Sequence, residues 1–424
     1  MYVLACSRQM QRIFRLMIPM HIGANLYITD NEDINVTELL IQAEKAADHL
    51  TDLYCKFHRN PETAFHEIKT NRLIREELDR IGVEYYAPSD ILTVAVIRGD
   101  LPGAVVGIRC DTDALAVAEQ TGLPYASENE GFMHACGHDA HITAGLGCAA
   151  ILQEKKSELA GNVKIIFQPA EEGAAGADYT IETGLCDDID VFFGVHVWSA
   201  FGLGEFHVSD ITVAAAVDMF TIKIHGKGGH GATPNLCCDA IAAGADLVNS
   251  LQYIVSRALP PTEAAVLTIG SFHAGRAGNV IAGEAELMGT VRTVSSESRE
   301  RSEKVLRETA DSVAKYHGCT AEVIYTSSHA AVTNDRRAVE FACEAAVGLV
   351  PDDKIGPQVL RMLGDDFSAY GRIAPYCYVQ VGITPDEEEP IPHHNGKFKV
   401  DESVLPLCTA WMASFAFLAG EKWK

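Results

Sequence analysis

The sequence predicts an α/β fold with a smaller β-α-β-β-α-β unit set into it, and three observations predict it. Apolar runs alternate with helical stretches up to about residue 216, the pattern changes near Asp218, and the first pattern returns after residue 326. A chain of 424 residues exceeds one ordinary core, so two domains, or one domain carrying an insertion, are expected.

Across residues 38–85, Leu39, Leu40, Ala43, Ala46 and Ala47, then Ile68, Leu73, Ile74 and Leu78, recur at helical spacing, which predicts two helices. Short apolar runs follow at 92–97, 105–108, 163–167 and 191–195, broken by Gly-rich turns and by a helical stretch at 140–152. That alternation predicts a layered α/β sheet. From Asp218 the order is strand 220–225, helix 238–256, strands 264–272 and 284–291, helix 297–316 and strand 320–325. This is the split βαβ order of a ferredoxin-like domain. Helices at 336–347 and 403–418 and a strand at 376–381 complete the first domain. The expected division is a catalytic domain from 38–216 and 327–424, an inserted domain at 217–326, and an N-terminal extension at 1–37. Val3-Leu4-Ala5-Cys6 looks like a lipoprotein box but lacks a preceding apolar stretch, and Arg8, Arg12 and Arg15 follow it. The extension is therefore expected to be disordered, or to reflect an early start codon, and not to be a targeting signal.

Composition narrows the function. Lys and Arg total 34 against 58 Asp and Glu, a formal charge of −24, which repels nucleic acid and anionic membranes. A solvated acidic surface accounts for most of this charge. No run approaches the roughly 18 apolar residues of a membrane span. Twelve scattered cysteines, with only Cys237 and Cys238 adjacent, fit free thiols in a reducing cytoplasm.

Chemistry is concentrated in four short stretches. Met133-His134-Ala135-Cys136-Gly137-His138-Asp139-Ala140-His141 packs a thiol, three imidazoles and a carboxylate just before a helix. Borderline-soft metals take such ligands, and Gly137 lets the backbone bend between Cys136 and His138. Phe167-Gln168-Pro169-Ala170-Glu171-Glu172-Gly173 sets adjacent carboxylates at the end of an apolar strand. One can hold a metal while the other faces attacking water. His196 ends another apolar run, and His393-His394-Asn395 precedes the last helix. Each has an ordinary reading alone: a polar turn, a solvated loop or a structural histidine. Their coincidence in one chain is what favours a metal centre.

With these motifs the chain resembles the binuclear metal-dependent aminoacylase and carboxypeptidase superfamily, in the branch of hippurate hydrolases, bacterial amidohydrolases and auxin-conjugate hydrolases. The resemblance spans about 38–420. In order it comprises Arg109-Cys110-Asp111-Thr112-Asp113-Ala114-Leu115, the 134–141 box, the 168–173 box, Gly194-Val195-His196-Val197-Trp198, 226–234, 278–293, 364–370 and the terminal histidine pair. It implies a layered α/β metallopeptidase catalytic domain with an inserted ferredoxin-like dimerisation or lid domain, and two divalent ions per subunit, manganese or zinc. It implies Cys136, His138, Glu172, His196 and His394 as ligands and Glu171 as general base. His394 is preferred to His393 because the family's ligand stands directly before a small polar residue and a few positions ahead of an aromatic, here Asn395 and Phe398. Asp113 is implied to orient a ligating histidine. His230 is implied to reach the reacting carbonyl, often from the other subunit, and Asn279 and Arg292 to hold substrate. Asp111, Asp139 and His141 are left open between bystander and participant.

The implied activity is hydrolysis of an N-acyl amino acid in a cytoplasmic homodimer, without nucleic acid or membrane partners. A dipeptidase or carboxypeptidase on short peptides is the alternative enzyme, and a non-catalytic metal-dependent peptide-binding protein the alternative outside enzymes. Ala116, Ala282 and Asp365 depart from the family's usual residues, which bears on pocket shape and substrate identity more than on the chemistry.

Overall fold

A computed structural model describes residues 36–173 and 175–423. The extension expected at 1–37 therefore lies outside the described residues, except for Val36 and Thr37, which open a helix, Val36–Lys45. Two helices were expected over 38–85 and three are found. A break at Ala46, with φ −90° and ψ 1°, separates the first from Ala47–His58, and Ile68–Ile81 follows. The third buries Leu73, Ile74 and Leu78 and stops at Gly82 in the left-handed region, a usual helix terminus.

The large sheet has eight strands in the order Glu84–Ser89, Leu92–Arg98, Ala160–Gln168, Leu101–Asp111, Val191–Gly202, Tyr376–Thr384, Phe206–His207, Ile355–Gly356. The edge strand Glu84–Ser89 was not foreseen, because its mostly exposed residues lack an apolar alternation. At the centre, Leu101–Asp111 runs parallel to both Ala160–Gln168 and Val191–Gly202, and the latter is parallel to Tyr376–Thr384. Parallel strands buried on both faces read as continuous apolar runs, which is why these segments stood out in the sequence. They place their carboxyl ends along one rim, where open α/β sheets bind ligands.

Both faces are covered. His138–Glu154 and Leu405–Lys422 are buried almost all round and pack on each other and on the central strands. On the opposite face Phe192, Ile166, Phe367 and Tyr370 form a core with the short helix Gly176–Ile181. By length and composition the segment Glu402–Lys422 is apolar enough to cross a membrane, which corrects the expectation that no such run exists. It is instead a core element: Phe415 stacks on Phe193 at 4.2 Å and Trp411 on Phe206 at 4.0 Å.

A second sheet has the order Ala265–Ala274, Glu284–Thr293, Ala216–His225, Thr320–His329, all antiparallel, which is the ferredoxin-like arrangement. The helices Ala240–Tyr253 and Ser296–Tyr316 bury Leu247, Leu251, Leu306 and Ala310 against Phe220, Ile222, Ile224 and Leu287. Asp239 and Ser295 cap these helices through their own side chains. At the tip, Gly229–His230 pairs with Val280–Ile281. The eleven cysteines among the described residues are all free.

Candidate metal centre

The rim of the large sheet assembles the site. Asp111 ends its strand level with Gln168, the last residue of the neighbouring strand, so the segments that carry Asp113 and the pair Glu171–Glu172 leave the sheet side by side. On the other flank Arg109 is level with Gly194, which brings His196 beside the same end. His196 does not terminate its strand as the sequence suggested, because Val191–Gly202 continues along Tyr376–Thr384 for six residues beyond it. Gly137 starts the His138–Glu154 helix at φ +90°, and a Cβ there would lie 2.3 Å from a Val197 methyl. Only glycine fits between the two candidate ligands.

The five residues read as ligands converge. Cys136, Glu172 and His394 offer atoms within 4.8 Å of one another, and so do His138, Glu171 and Glu172. His196 Nε2 lies 3.6 Å from Cys136 Sγ, and its ring is 6.0 Å from that of His138. Ring tautomers fit ligation. His196 Nδ1 donates to the Val197 carbonyl at 2.6 Å and His138 Nδ1 to the Asp113 carbonyl at 2.8 Å, which leaves each Nε2 lone pair turned to the cluster. His138 Nε2 and Glu172 Oε1 are buried without a hydrogen-bond partner. His394 Nε2 is 3.1 Å from Glu172 Oε1, which sets the imidazole and the carboxylate at one point of the cluster.

The neighbouring histidines are occupied otherwise. His141 uses Nδ1 on Asp111 at 2.5 Å, and its Nε2 accepts the Val197 N–H at 2.9 Å. His393 accepts the Ser199 N–H through Nε2 at 3.3 Å, faces Cys136 Sγ at 3.7 Å through Nδ1, and stacks on Trp198. Neither keeps a lone pair for a metal.

Electrostatics point the same way. Burial alone would push the His138 pKa down, but Asp111, Asp113 and Glu172 outweigh it and push it up to about 10. Burial, and then the crowded Asp365, Glu172 and Asp366, hold the Glu171 carboxyl well above its ordinary range. Burial, and then Glu172 and Glu171, do the same to the Cys136 thiol. Thiolate and carboxylates gathered this closely need a cation among them, and a thiolate, imidazole and carboxylate set suits divalent zinc or manganese. Glu171 makes no side-chain hydrogen bond among the described residues and is 3.9 Å from His138 Nε2.

Sequence reasoning missed the frame behind this cluster. Three consecutive amides of the Glu171–Glu172 turn are held by two buried carboxylates. Glu67 accepts from Ala170 at 2.8 Å, and Asp113 accepts from Glu171 at 3.0 Å and from Glu172 at 2.9 Å. Asp113 therefore holds the turn through its carboxylate and His138 chiefly through its carbonyl. Ala170 and His394 both take positive φ, 55° and 63°, a conformation uncommon outside glycine. Arg109, 2% exposed, ion-pairs with Asp111, Asp365 and Asp366, and Gln168 bridges it to Asp366 and Tyr370.

The substrate residues expected in the smaller domain lie elsewhere. His230 and Asn279 are exposed side by side at its tip, where the Gly231 N–H donates to the Asn279 carbonyl at 2.9 Å. No hydrogen bond or ion pair among the described residues joins either to the cluster. Arg292 donates to the Met362 carbonyl at 2.9 Å, close to the Asp365–Asp366 pair in sequence.

The family model for peptidase family M20/M25/M40 matches residues 107–417. N-acetylcysteine deacetylase of Bacillus subtilis (strain 168) is 36% identical over 370 residues, which cover 86% of this chain and 95% of that protein. N-acyl-L-amino acid amidohydrolase of Geobacillus stearothermophilus is 39% identical over 279 residues, 65% of this chain and 75% of its own length. Among solved structures, a dinuclear metal binding peptidase of the M20 family from Bacillus subtilis superposes with a TM-score of 0.79 at 33% identity, covering 89% of this chain and 99% of that one.

Proposed function

Because the chain belongs to the peptidase family M20/M25/M40, we propose that it is a metal-dependent amidohydrolase that cleaves the amide bond of N-acyl amino acids. One observation carries the reading: nitrogen, oxygen and sulfur donors of five residues converge beside Glu171, a carboxylate that makes no side-chain hydrogen bond among the described residues. Cys136, His138, Glu172, His196 and His394 would hold two divalent ions, manganese or zinc. When bound, such ions supply Lewis acidity toward the amide carbonyl and make water a competent nucleophile near neutral pH.

The protein's own groups do the rest. Glu171 takes a proton from the attacking water as the water oxygen bonds to the carbonyl carbon, then delivers that proton to the amide nitrogen as the C–N bond breaks. Glu67 and Asp113 fix the turn that aims Glu171. Arg292 and Asn279 receive the substrate's free carboxylate, and His230 donates toward the carbonyl oxygen. His230 and Asn279 reach the reacting bond through closure of the smaller domain or from a second copy of the chain. The proposed domain limits are 38–216 with 327–424, and 217–326, and a homodimeric, cytoplasmic enzyme is the proposed working state.

The test is a substrate screen on protein stripped with a chelator and reloaded with manganese or zinc. Hippurate and N-acetyl amino acids are expected to be hydrolysed, dipeptides at least about tenfold more slowly, and the stripped protein to be inactive. Faster turnover of dipeptides would transfer the assignment to a dipeptidase. Full activity without metal would remove the mechanism.

A further inference from the structure

The segment 361–363 runs at the root of the smaller domain. The Arg361 N–H donates to the Val213 carbonyl at 3.1 Å, and the Leu363 carbonyl accepts the Ala215 N–H at 2.7 Å, one residue before the strand Ala216–His225 begins. Arg292 reaches the same stretch through the Met362 carbonyl. Arg292 of the smaller domain thus touches the residue next to Arg361.

Arg361 is held by aromatic faces alone. Its guanidinium lies 5.0 Å from the Trp198 ring centre and 5.4 Å from that of Phe201. Trp198 stacks on His393 at 4.5 Å and is 5.5 Å from His196, two residues back on the same strand face. Nε of Arg361 is shielded from solvent without a partner, and the guanidinium makes no hydrogen bond or ion pair among the described residues. Other screened arginines do not stand so: Arg109 meets three carboxylates, and Arg299 is 2.6 Å from Asp218. In a chain with 58 acidic residues against 34 basic ones, a half-shielded cation without a carboxylate is a site waiting for an anion. Trp198, over whose ring the guanidinium lies, is itself in ring contact with His196, so Arg361 borders the same rim of the sheet as the cluster.

We propose that Arg361 receives a second carboxylate of the substrate, so that N-acylated acidic amino acids, N-acyl-glutamate or N-acyl-aspartate, are the preferred class. The inference rests on the amidohydrolase reading above. With Arg292 taking the α-carboxylate, a neutral side chain leaves Arg361 unmatched, whereas an acidic one pairs with it. A guanidinium held over an indole face, with its terminal N–H groups making no hydrogen bond among the described residues, can turn those groups to a carboxylate.

The experiment compares N-acetyl-glutamate with its near-isostere N-acetyl-glutamine on the metal-loaded full chain. The wild-type protein is expected to favour glutamate by about tenfold or more in kcat/KM. Arg361→Met is expected to bring that ratio to within about twofold, chiefly by raising KM for the glutamate substrate, and Arg361→Lys to restore part of it. A wild-type ratio near one, a ratio that survives Arg361→Met, or an equal fall in kcat for both substrates that Arg361→Lys does not relieve would overturn the proposal. Failure to hydrolyse any N-acyl amino acid would instead strike the amidohydrolase reading, and this inference with it.

Discussion

Glu171→Gln is expected to lower kcat by at least about a thousandfold while leaving the bound metal within error of the wild-type content. The substitution keeps size and shape, and the Glu171 backbone N–H still bonds to Asp113, so the turn and Glu172 stay in place. What is lost is the basic oxygen that lies 3.9 Å from His138 Nε2. Metal content by elemental analysis and turnover on one N-acetyl amino acid, measured on the same preparation, separate the two effects. Activity within about tenfold of wild type would mean that Glu171 is not the base, because general-base removal costs more than that.

Arg109→Met carries the largest expected effect on stability. The guanidinium is buried and shared by Asp111, Asp365 and Asp366, so its loss leaves Asp365 and Asp366 crowded in the interior without their cation and Asp111 with its histidine neighbours alone. Removing one partner of a buried ionic group typically costs about 3–5 kcal/mol. Denaturant unfolding should show a midpoint lowered by that free energy divided by the slope, with the slope itself unchanged. Adding Asp365→Asn to Arg109→Met should recover part of the loss, since it removes one of the stranded charges. A wild-type midpoint for Arg109→Met would show that the network is not held by this residue.

These two residues also mark the limit of what the sequence discloses. Glu171, Cys136, His138 and Glu172 sit in short contiguous boxes, where residue type and spacing speak for themselves. The choice of His394 over His393 rested on its place directly before Asn395 and a few positions ahead of Phe398; in the structure His394 lies beside Glu172 while His393 is tied to Ser199. The buried, mostly parallel strands announced themselves as apolar runs, whereas the exposed edge strand Glu84–Ser89 gave no periodic signal. Arg109 was legible as part of a motif but not as a hub, because its partners Asp365 and Asp366 stand 256 and 257 residues away. Glu67 carried no signal at all: a lone acid in a polar stretch becomes a support for the Glu171–Glu172 turn only when the fold brings Ala170 to it. Arg361 was silent for the same reason, its meaning lying in the absence of a partner.

The central claim is that five side chains from four separated segments share two divalent cations beside an unliganded glutamate. Anomalous diffraction from crystals grown with manganese or zinc tests it directly. The account predicts two peaks about 3.5–4 Å apart, enclosed by Cys136, His138, Glu172, His196 and His394, with Glu171 outside both coordination spheres. No peak, or peaks ligated by His141, His393 or the Asp365–Asp366 pair in their place, would contradict it.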